Sequence, residues 1–204
     1  MIMGIDISNH NYKYIHDNNV DIRKYTDFVL MKASEGRTYK DPYLDYFYDL
    51  YHGSKDGRPD PLGLYGFYHY ARPEYKNDPK SEAENFLKYV GHHAGYCMYA
   101  LDVEGNSLKT YRVDDWAREW LDIVYNRTGV RPLLYTSESA VKLFQSCCRG
   151  DYGLWVAKWN GAVKFPKVKP WSYFAMWQFQ STAFDYNWFN GDLAVWRSYC
   201  MGDR

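Results

Sequence analysis

Two carboxylates separated by one residue lie near the middle of the chain, in the segment Leu101-Asp102-Val103-Glu104-Gly105. On a β-strand, side chains two positions apart share a face, so both carboxyl groups can point at one substrate. Two acids held this close resist simultaneous ionisation, which raises the pKa of one of them. A protonated acid beside an ionised partner suits glycoside hydrolysis. A solvated strand end with two surface carboxylates has the same pattern, and the triplet alone does not separate these interpretations.

The elements that would position these acids alternate between short apolar runs and helix-like stretches. Strands are predicted at residues 1–7, 28–33, 62–70, 96–103, 131–136, 154–158 and 174–179, with a short one near 185–188. Helices are predicted at 41–51, 78–89, 110–127 and 137–147. Such alternation favours a parallel sheet closed into a barrel. After Gly150 the connections are too short for full helices, so the sequence predicts an α/β fold, an irregular TIM-like barrel with the last helices missing.

In a barrel of this class the active site is built at the carboxyl ends of the strands. Acidic, aromatic and other polar residues are concentrated at the predicted ends. They include Asp6, Lys32, Glu35, Tyr68, His69, Tyr70, Asp102, Glu104, Tyr135, Trp159, Gln178 and Asp185. For His69 alone, a structural histidine with satisfied hydrogen bonds is the commoner explanation. The convergence of carboxylates nevertheless predicts an acidic site at this end of the barrel.

The composition excludes several classes of function. Lys plus Arg and Asp plus Glu each number 25, so the formal net charge is zero and no nucleic-acid partner is expected. No apolar run approaches the roughly 18 residues of a membrane span, so no membrane partner is expected. The four cysteines lack metal-ligand spacing, and the Gly-rich phosphate-binding, zinc-protease and serine-hydrolase motifs are missing from the sequence. We therefore expect neither a metal nor an organic cofactor.

Aromatic residues make up 20% of the chain, including 22 Tyr and 8 Trp. Their rings supply a large core, and they also offer flat apolar faces with polar rims that stack on sugars. Position within a site, and not abundance, decides between the two roles for any one ring.

Six segments in this order resemble the glycoside hydrolase family 25 lysozymes, the N-acetylmuramidases of phage and bacterial wall-lytic systems. They are GIDIS at 4–8, FVLMKASEG at 28–36, GFYHY at 66–70, LDVE at 101–104, LWVAKW at 154–159, and MWQF at 176–179 followed by DYN at 185–187. The resemblance covers nearly the whole chain. It implies an irregular β/α barrel and hydrolysis of the β-1,4 bond between N-acetylmuramic acid and N-acetylglucosamine in bacterial peptidoglycan.

The resemblance also assigns roles to residues of this chain. Glu104 becomes the general acid/base and Asp102 its companion, while Asp6 and Asp185 become supporting carboxylates of an acidic floor. Substrate binding is expected from Lys32, Glu35, Tyr68, His69, Tyr135, Trp159, Trp177 and Gln178. The hypothesis for the mechanism is that Asp102 orients the N-acetyl group of the substrate for retention; attack by water with inversion is its rival.

Further expectations concern the whole chain. Its length and even composition predict one catalytic domain over residues 1–204, acting as a monomer, without a separate wall-binding domain. The first residues lack the basic and apolar regions of a signal peptide, which favours a phage-type endolysin made in the host cytoplasm, or export by a non-classical route. Two alternatives stay open: a glycan-binding module without catalysis, and a glycosidase that acts on chitin-like polymers.

Overall fold

The computed structural model describes residues 1–52 and 63–202. Its strands are β1 (Ile2–Ile7), β2 (Phe28–Glu35), β3 (Tyr39–Lys40), β4 (Leu64–Tyr70), β5 (Met98–Asp102), β6 (Leu133–Ser137), β7 (Leu154–Ala157), β8 (Met176–Ser181) and β9 (Asp185–Phe189). They are ordered β1-β9-β8-β7-β6-β5-β4-β2-β3, and β1 also pairs with β2. Eight strands therefore close into a barrel, with β3 as a short hairpin partner of β2. Residue 62, where the third predicted strand begins, lies outside the described residues.

Most of the barrel is parallel, and one strand is reversed. The neighbours from β1 through β2, β4, β5, β6 and β7 to β8 pair in parallel, whereas β9 is antiparallel to both β8 and β1. A parallel return needs a crossover of about a dozen residues or more. The turn from β8 to β9 is far shorter, so β9 must reverse. This irregularity confirms the predicted TIM-like barrel with its last crossover helices missing.

The helices are α1 (Asn9–Asp17), α2 (Leu44–His52), α3 (Pro79–Val90), α4 (Val113–Thr128), α5 (Gln145–Arg149) and α6 (Leu193–Met201). The predicted helix at 137–147 is wrong in extent. Its first residues are held to the strands, because Glu138 N donates to Ala157 O at 2.9 Å. The Asp114 carboxylate then accepts from Ser146 N at 2.8 Å, which fixes the start of α5 close to residue 145.

Sequence analysis predicted neither α1 nor α6. Helix α1 begins with a reciprocal capping box. The Ser8 side chain accepts from the Asn11 backbone N–H, and the Asn11 side chain accepts from the Ser8 backbone N–H. Asp192 caps α6 through Ala194 N and Val195 N. Both helices are short and bury few side chains, so their apolar periodicity is weak.

The buried apolar side chains form two clusters, one inside the barrel and one outside it. The interior cluster contains Leu30, Met98, Leu133, Trp155 and Met176, and a larger cluster lies between the sheet and the helices. Trp196 and Cys200 of α6 belong to the interior cluster, so α6 closes the amino end of the barrel. The carboxyl end is left open. Within residues 1–52 and 63–202, none of the helices has the length and apolarity needed to cross a bilayer.

Candidate active site

A cavity of about 240 Å³ opens at the carboxyl ends of the strands. Its wall is formed by Asp6, Ser8, His10, Lys32, Tyr68, Tyr70, Asp102, Glu104, Tyr135, Trp155, Trp159, Gln178, Ser181 and Asp185. All four carboxyl groups predicted to be catalytic lie on this wall. The cavity also brings together the predicted binding residues Lys32, Tyr68, Tyr135, Trp159 and Gln178.

Strand register explains why the four acids meet. Asp6 at the end of β1 is directly opposite Asp185 at the start of the antiparallel strand β9. On the other side of the barrel, Asp102 ends β5 between Tyr70 of β4 and Tyr135 of β6. Glu104 follows Asp102 in extended backbone, so both side chains turn to the same side. The reversed strand β9 is therefore needed to bring Asp185 to the acidic floor.

Burial and mutual repulsion keep protons on these acids. The pKa of Asp6 is raised to about 8, first by burial and then by the charges of Asp185 and Glu104, against the hydrogen bonds from Asn187 and Gln178. Burial likewise raises the pKa of Asp185. The protonated form of Asp6 is therefore favoured near neutral pH.

The pair predicted to do the chemistry is crowded in the same way. Burial and the nearby Glu104 raise the pKa of Asp102, which Lys32 partly offsets. Burial and Asp185 raise the pKa of Glu104, with Lys32, Arg72 and the Tyr135 hydroxyl acting in the opposite direction. Asp102 Oδ1 is buried and has no hydrogen-bond partner among the described residues. That oxygen can therefore accept a hydrogen bond from a ligand in the cavity.

A chain of hydrogen bonds fixes the opposite wall. Gln178 Nε2 donates to Asp6 Oδ2 at 2.8 Å, and Gln178 Oε1 accepts from Tyr135 Oη at 2.9 Å and from Trp159 Nε1 at 2.8 Å. Asn187 Nδ2 donates to the same Asp6 oxygen at 2.8 Å and Asn187 Oδ1 accepts from Trp155 Nε1. The Trp159 ring, 63% exposed, is thus held by its polar edge while its faces stay open.

The structure corrects the assignment of His69 to the substrate site. Its ring is completely buried between the barrel and the helices, with Nδ1 2.8 Å from Ser34 Oγ and Nε2 2.9 Å from Glu82 Oε2. Neighbouring residues of a strand point to opposite faces. Because Tyr68 and Tyr70 face the cavity, His69 between them must face outward.

Trp177 is excluded from the cavity for the same reason. It lies between the interior residues Met176 and Gln178, so its ring points outward and is 1% exposed. Its Nε1 donates to Lys158 O at 3.1 Å, and its ring packs against Phe165 and Phe174. The interior tryptophan of this wall is Trp155, which sequence analysis did not select.

Glu35 lies beside the cavity and does not line it. Its carboxylate pairs with Lys32 Nζ at 2.5 Å and with Arg72 Nη2 at 2.6 Å. Burial raises the pKa of Glu35, but the hydrogen bonds and charges of Lys32 and Arg72 outweigh burial, so the pKa lies below its usual value. Glu35 therefore positions Lys32 at the cavity wall.

The wall contains further residues that sequence analysis did not assign to the site: Ser8, His10, Tyr70, Trp155 and Ser181. For Tyr70 the available signal was its two-residue spacing from Tyr68 along a predicted strand. Among the described residues, no three His, Cys, Asp or Glu side chains are grouped as metal ligands.

Comparisons with known proteins agree with this geometry. A family model described as Glycosyl hydrolases family 25 matches residues 5–187. An autolytic lysozyme of Clostridium acetobutylicum is 32% identical over 165 residues, which cover 77% of this chain and 45% of that protein. An N,O-diacetylmuramidase of Chalaropsis sp is 27% identical over 190 residues, covering 81% of this chain and 84% of that enzyme. The chain thus spans about half the length of the Clostridium protein.

A solved structure shows the same fold. The muramidase from Acremonium alcalophilum superposes with a TM-score of 0.75 over the whole of both chains, at 23% sequence identity.

Proposed function

The chain belongs to glycosyl hydrolases family 25, and from this premise we propose that it is a lysozyme, a 1,4-β-N-acetylmuramidase. Its substrate is the bond between N-acetylmuramic acid and N-acetylglucosamine in bacterial peptidoglycan. The observation that carries the proposal is the convergence of Asp6, Asp102, Glu104 and Asp185 in one cavity, each with a raised pKa. Protonated carboxyl groups at neutral pH are what acid-catalysed cleavage of a glycosidic bond requires.

Glu104 is the general acid of this proposal. It is the more accessible member of the Asp102–Glu104 pair, and burial and Asp185 raise its pKa, which favours the protonated form. Glu104 donates this proton to the glycosidic oxygen as the bond to the anomeric carbon breaks, so the leaving sugar departs as a neutral alcohol. General acid catalysis of this kind accelerates a reaction by about 100- to 10,000-fold.

Asp102 orients the N-acetyl group of the substrate. Its unpartnered Oδ1 is satisfied when the acetamido N–H of the muramic acid residue donates to it. The acetamido carbonyl oxygen then forms a bond to the anomeric carbon as the leaving group departs, and water reopens that ring with overall retention. Direct attack by water would instead invert the configuration. NMR of the first-formed anomer tests this step: a β product supports Asp102-assisted retention, and an α product contradicts it.

The aromatic wall binds the glycan. Trp159 presents an exposed ring whose indole N–H is already fixed by Gln178, which suits stacking on a sugar face. Tyr68 and Tyr135 lie deeper in the same cavity, next to the acids. We place the scissile bond between these residues and Glu104.

The partner of this proposal is the glycan of the bacterial wall, on which the chain acts as a monomer. Neither a membrane nor a nucleic acid takes part in the reaction. An endolysin, which reaches the wall from the host cytoplasm once the membrane is opened, is the biological setting we propose.

The decisive experiment is digestion of purified peptidoglycan by the wild type and by Glu104→Gln, followed by borohydride reduction and mass spectrometry of the released sugars. Reduced muramic acid ends should appear with the wild type and fall at least about 100-fold with the variant. Circular dichroism checks that the variant is folded. Reduced glucosamine ends would identify a glucosaminidase, and no new ends on walls from several bacteria would favour a binding module.

A further inference from the structure

The connection from β7 to β8 carries an unusual concentration of positive charge. We call residues 158–173 the lysine loop, since it contains Lys158, Lys164, Lys167 and Lys169. Residues 152–184 contain neither Asp nor Glu, although the whole chain has equal numbers of acidic and basic residues. The formal neutrality of the chain therefore conceals a basic segment beside an acidic cavity.

Three of these lysines form no ion pair with the residues that the structure describes. Lys158 Nζ pairs with Glu138 Oε1 at 2.9 Å. Lys164, Lys167 and Lys169 are exposed, and none forms an ion pair within the described part of the chain. The charge of Lys167 is partly balanced by Glu138, which accepts from Lys167 N at 2.5 Å, whereas the charges of Lys164 and Lys169 are available to an anionic ligand.

The lysine loop is held in place although it has no regular secondary structure. Asn160 N and Gly161 N both donate to Phe179 O, at 3.0 and 3.1 Å, and Asn160 Nδ2 donates to Lys164 O at 2.8 Å. At its far end, Trp171 Nε1 donates to Tyr152 O at 2.7 Å. A fixed loop loses little conformational entropy when a ligand binds.

The loop begins at the cavity itself. Trp159 lines the cavity and donates to Gln178, and Lys164 follows five residues later in the same loop. The exposed side chains of Val163, Phe165 and Tyr173, with exposed fractions of 86%, 63% and 64%, accompany the lysines. This surface offers charge and apolar contact together.

The substrate of the proposed reaction carries negative charges, which are complementary to the positive charges of the lysine loop. Muramic acid carries a stem peptide on its lactyl group, and stem peptides bear free carboxylates. Cations beside the cavity attract such an anionic strand and steer its approach.

We propose that the lysine loop binds the stem-peptide carboxylates of peptidoglycan through Lys164, Lys167 and Lys169. This inference rests on the proposed muramidase function and adds a determinant of specificity to it. The loop makes strands that bear peptides better substrates than bare glycan, by lowering KM.

The test uses two substrates: peptide-bearing strands, and the same strands after an amidase has hydrolysed the bond between lactyl group and peptide. The amidase removes the stem-peptide carboxylates and leaves one lactyl carboxylate on each muramic acid. The triple variant Lys164→Gln/Lys167→Gln/Lys169→Gln should raise KM for peptide-bearing strands by about fivefold to tenfold, as expected for three exposed ion pairs. KM for bare strands and kcat for both should stay unchanged. At high salt the KM of the wild type for peptide-bearing strands should rise toward its KM for bare strands.

A matched control removes three exposed lysines outside the loop: Lys24→Gln/Lys80→Gln/Lys142→Gln. It changes the net charge equally and should leave both KM values unchanged. Equal effects of the control and loop variants, or equal losses on both substrates, would overturn the proposal. So would a loop variant that lost binding only to vesicles of phosphatidylglycerol and phosphatidylcholine, which would identify a membrane surface instead.

Failure of the proposed function is recognised separately. If the wild type hydrolyses neither substrate, the muramidase proposal fails. Sedimentation with both kinds of strand still tests the loop, because preferential binding of peptide-bearing strands that disappears in the loop variant needs no turnover. Equal sedimentation with both strands would contradict the loop assignment.

Discussion

Two buried carboxyl groups lie on opposite faces of the same barrel wall. Glu82 of α3 is completely buried outside the barrel, and Asp102 at the end of β5 is 6% exposed inside it. The Glu82 oxygens accept from Asn77 Nδ2 at 2.7 Å and from Arg72 N at 3.0 and 3.2 Å, and they lie 2.9 Å from His69 Nε2. Asp102 has an oxygen without any partner in the described part of the chain.

The difference distinguishes an acid that stabilises the fold, Glu82, from an acid that is available to a substrate, Asp102. A buried acceptor without a partner costs about 1 to 3 kcal/mol of folding free energy. Glu82 avoids this cost because three donors surround it, and it ties the loop after β4 to α3. Within the described residues Asp102 Oδ1 meets no such donor, so it is open to a substrate N–H. A buried acid with open acceptor positions is therefore the better indicator of function.

Replacing Asp102 is expected to give the largest effect. Asp102→Asn should lower kcat by about 100- to 1,000-fold, as when one electrostatic contact to a transition state is removed. Its stability at pH 7 should be equal to or above that of the wild type, because an uncharged amide of the same size replaces an acid that burial and Glu104 destabilise in its ionised form. Steady-state kinetics on peptidoglycan and urea denaturation measure the two quantities. A variant that was destabilised but kept its kcat would place Asp102 in the fold and not in the site.

Replacing Glu82 should have the opposite profile. In Glu82→Gln one amide oxygen must replace two carboxylate oxygens that serve His69, Arg72 and Asn77, so one buried donor is left unsatisfied. We expect a loss of about 2 to 3 kcal/mol in the free energy of unfolding. The value of kcat, measured well below the unfolding temperature, should stay within about twofold of the wild type. A large fall in kcat with unchanged stability would contradict the structural role of Glu82.

The same two faces explain which site residues sequence analysis found. The four acids could be identified from the sequence because each is a carboxyl group at the end of a predicted strand, where the cavity lies. His69 and Trp177 were assigned to the site together with their neighbours Tyr68 and Gln178, although adjacent strand residues cannot share a face. The fully apolar strands of a buried parallel sheet do not show which face is interior. Helix contacts such as Glu82 to His69 settle it, and no local pattern encodes them.

The fold was predictable to a similar extent. The apolar runs of the strands are buried on both faces and therefore visible in the sequence. Helices α1 and α6 are not, because α1 buries only Ile15 and α6 buries only Trp196 and Cys200. Polar caps at Ser8 and Asp192 were the available signals for them. Short helices that plug or cover the ends of a barrel need few apolar residues, so periodicity alone misses them.

A difference in pH dependence should also separate the buried Asp6 of the cavity from the ion-paired Glu35 beside it. The pKa of Asp6 rises from 3.8 to about 8 on folding, so between these values the folded chain holds a proton that the unfolded chain releases. The free energy of unfolding therefore falls as pH rises through this window, with a slope of up to about 1.4 kcal/mol per pH unit from this one group. Asp6→Asn should flatten the curve between pH 5 and 8, which urea denaturation at each pH measures.

Glu35 supplies the matched control with the opposite sign. Its folded pKa lies below the ordinary value of 4.5 because Lys32 and Arg72 bind the carboxylate, although burial acts against them. The stability that it contributes is fully present above pH 4.5 and is lost as pH falls through the folded pKa. Glu35→Gln should thus lower stability while leaving the slope between pH 5 and 8 unchanged.

The Asp6 prediction has its own contradicting outcome. If the stability curves of Asp6→Asn and the wild type were parallel between pH 5 and 8, Asp6 would be ionised in the folded protein and would hold no proton for the acidic floor.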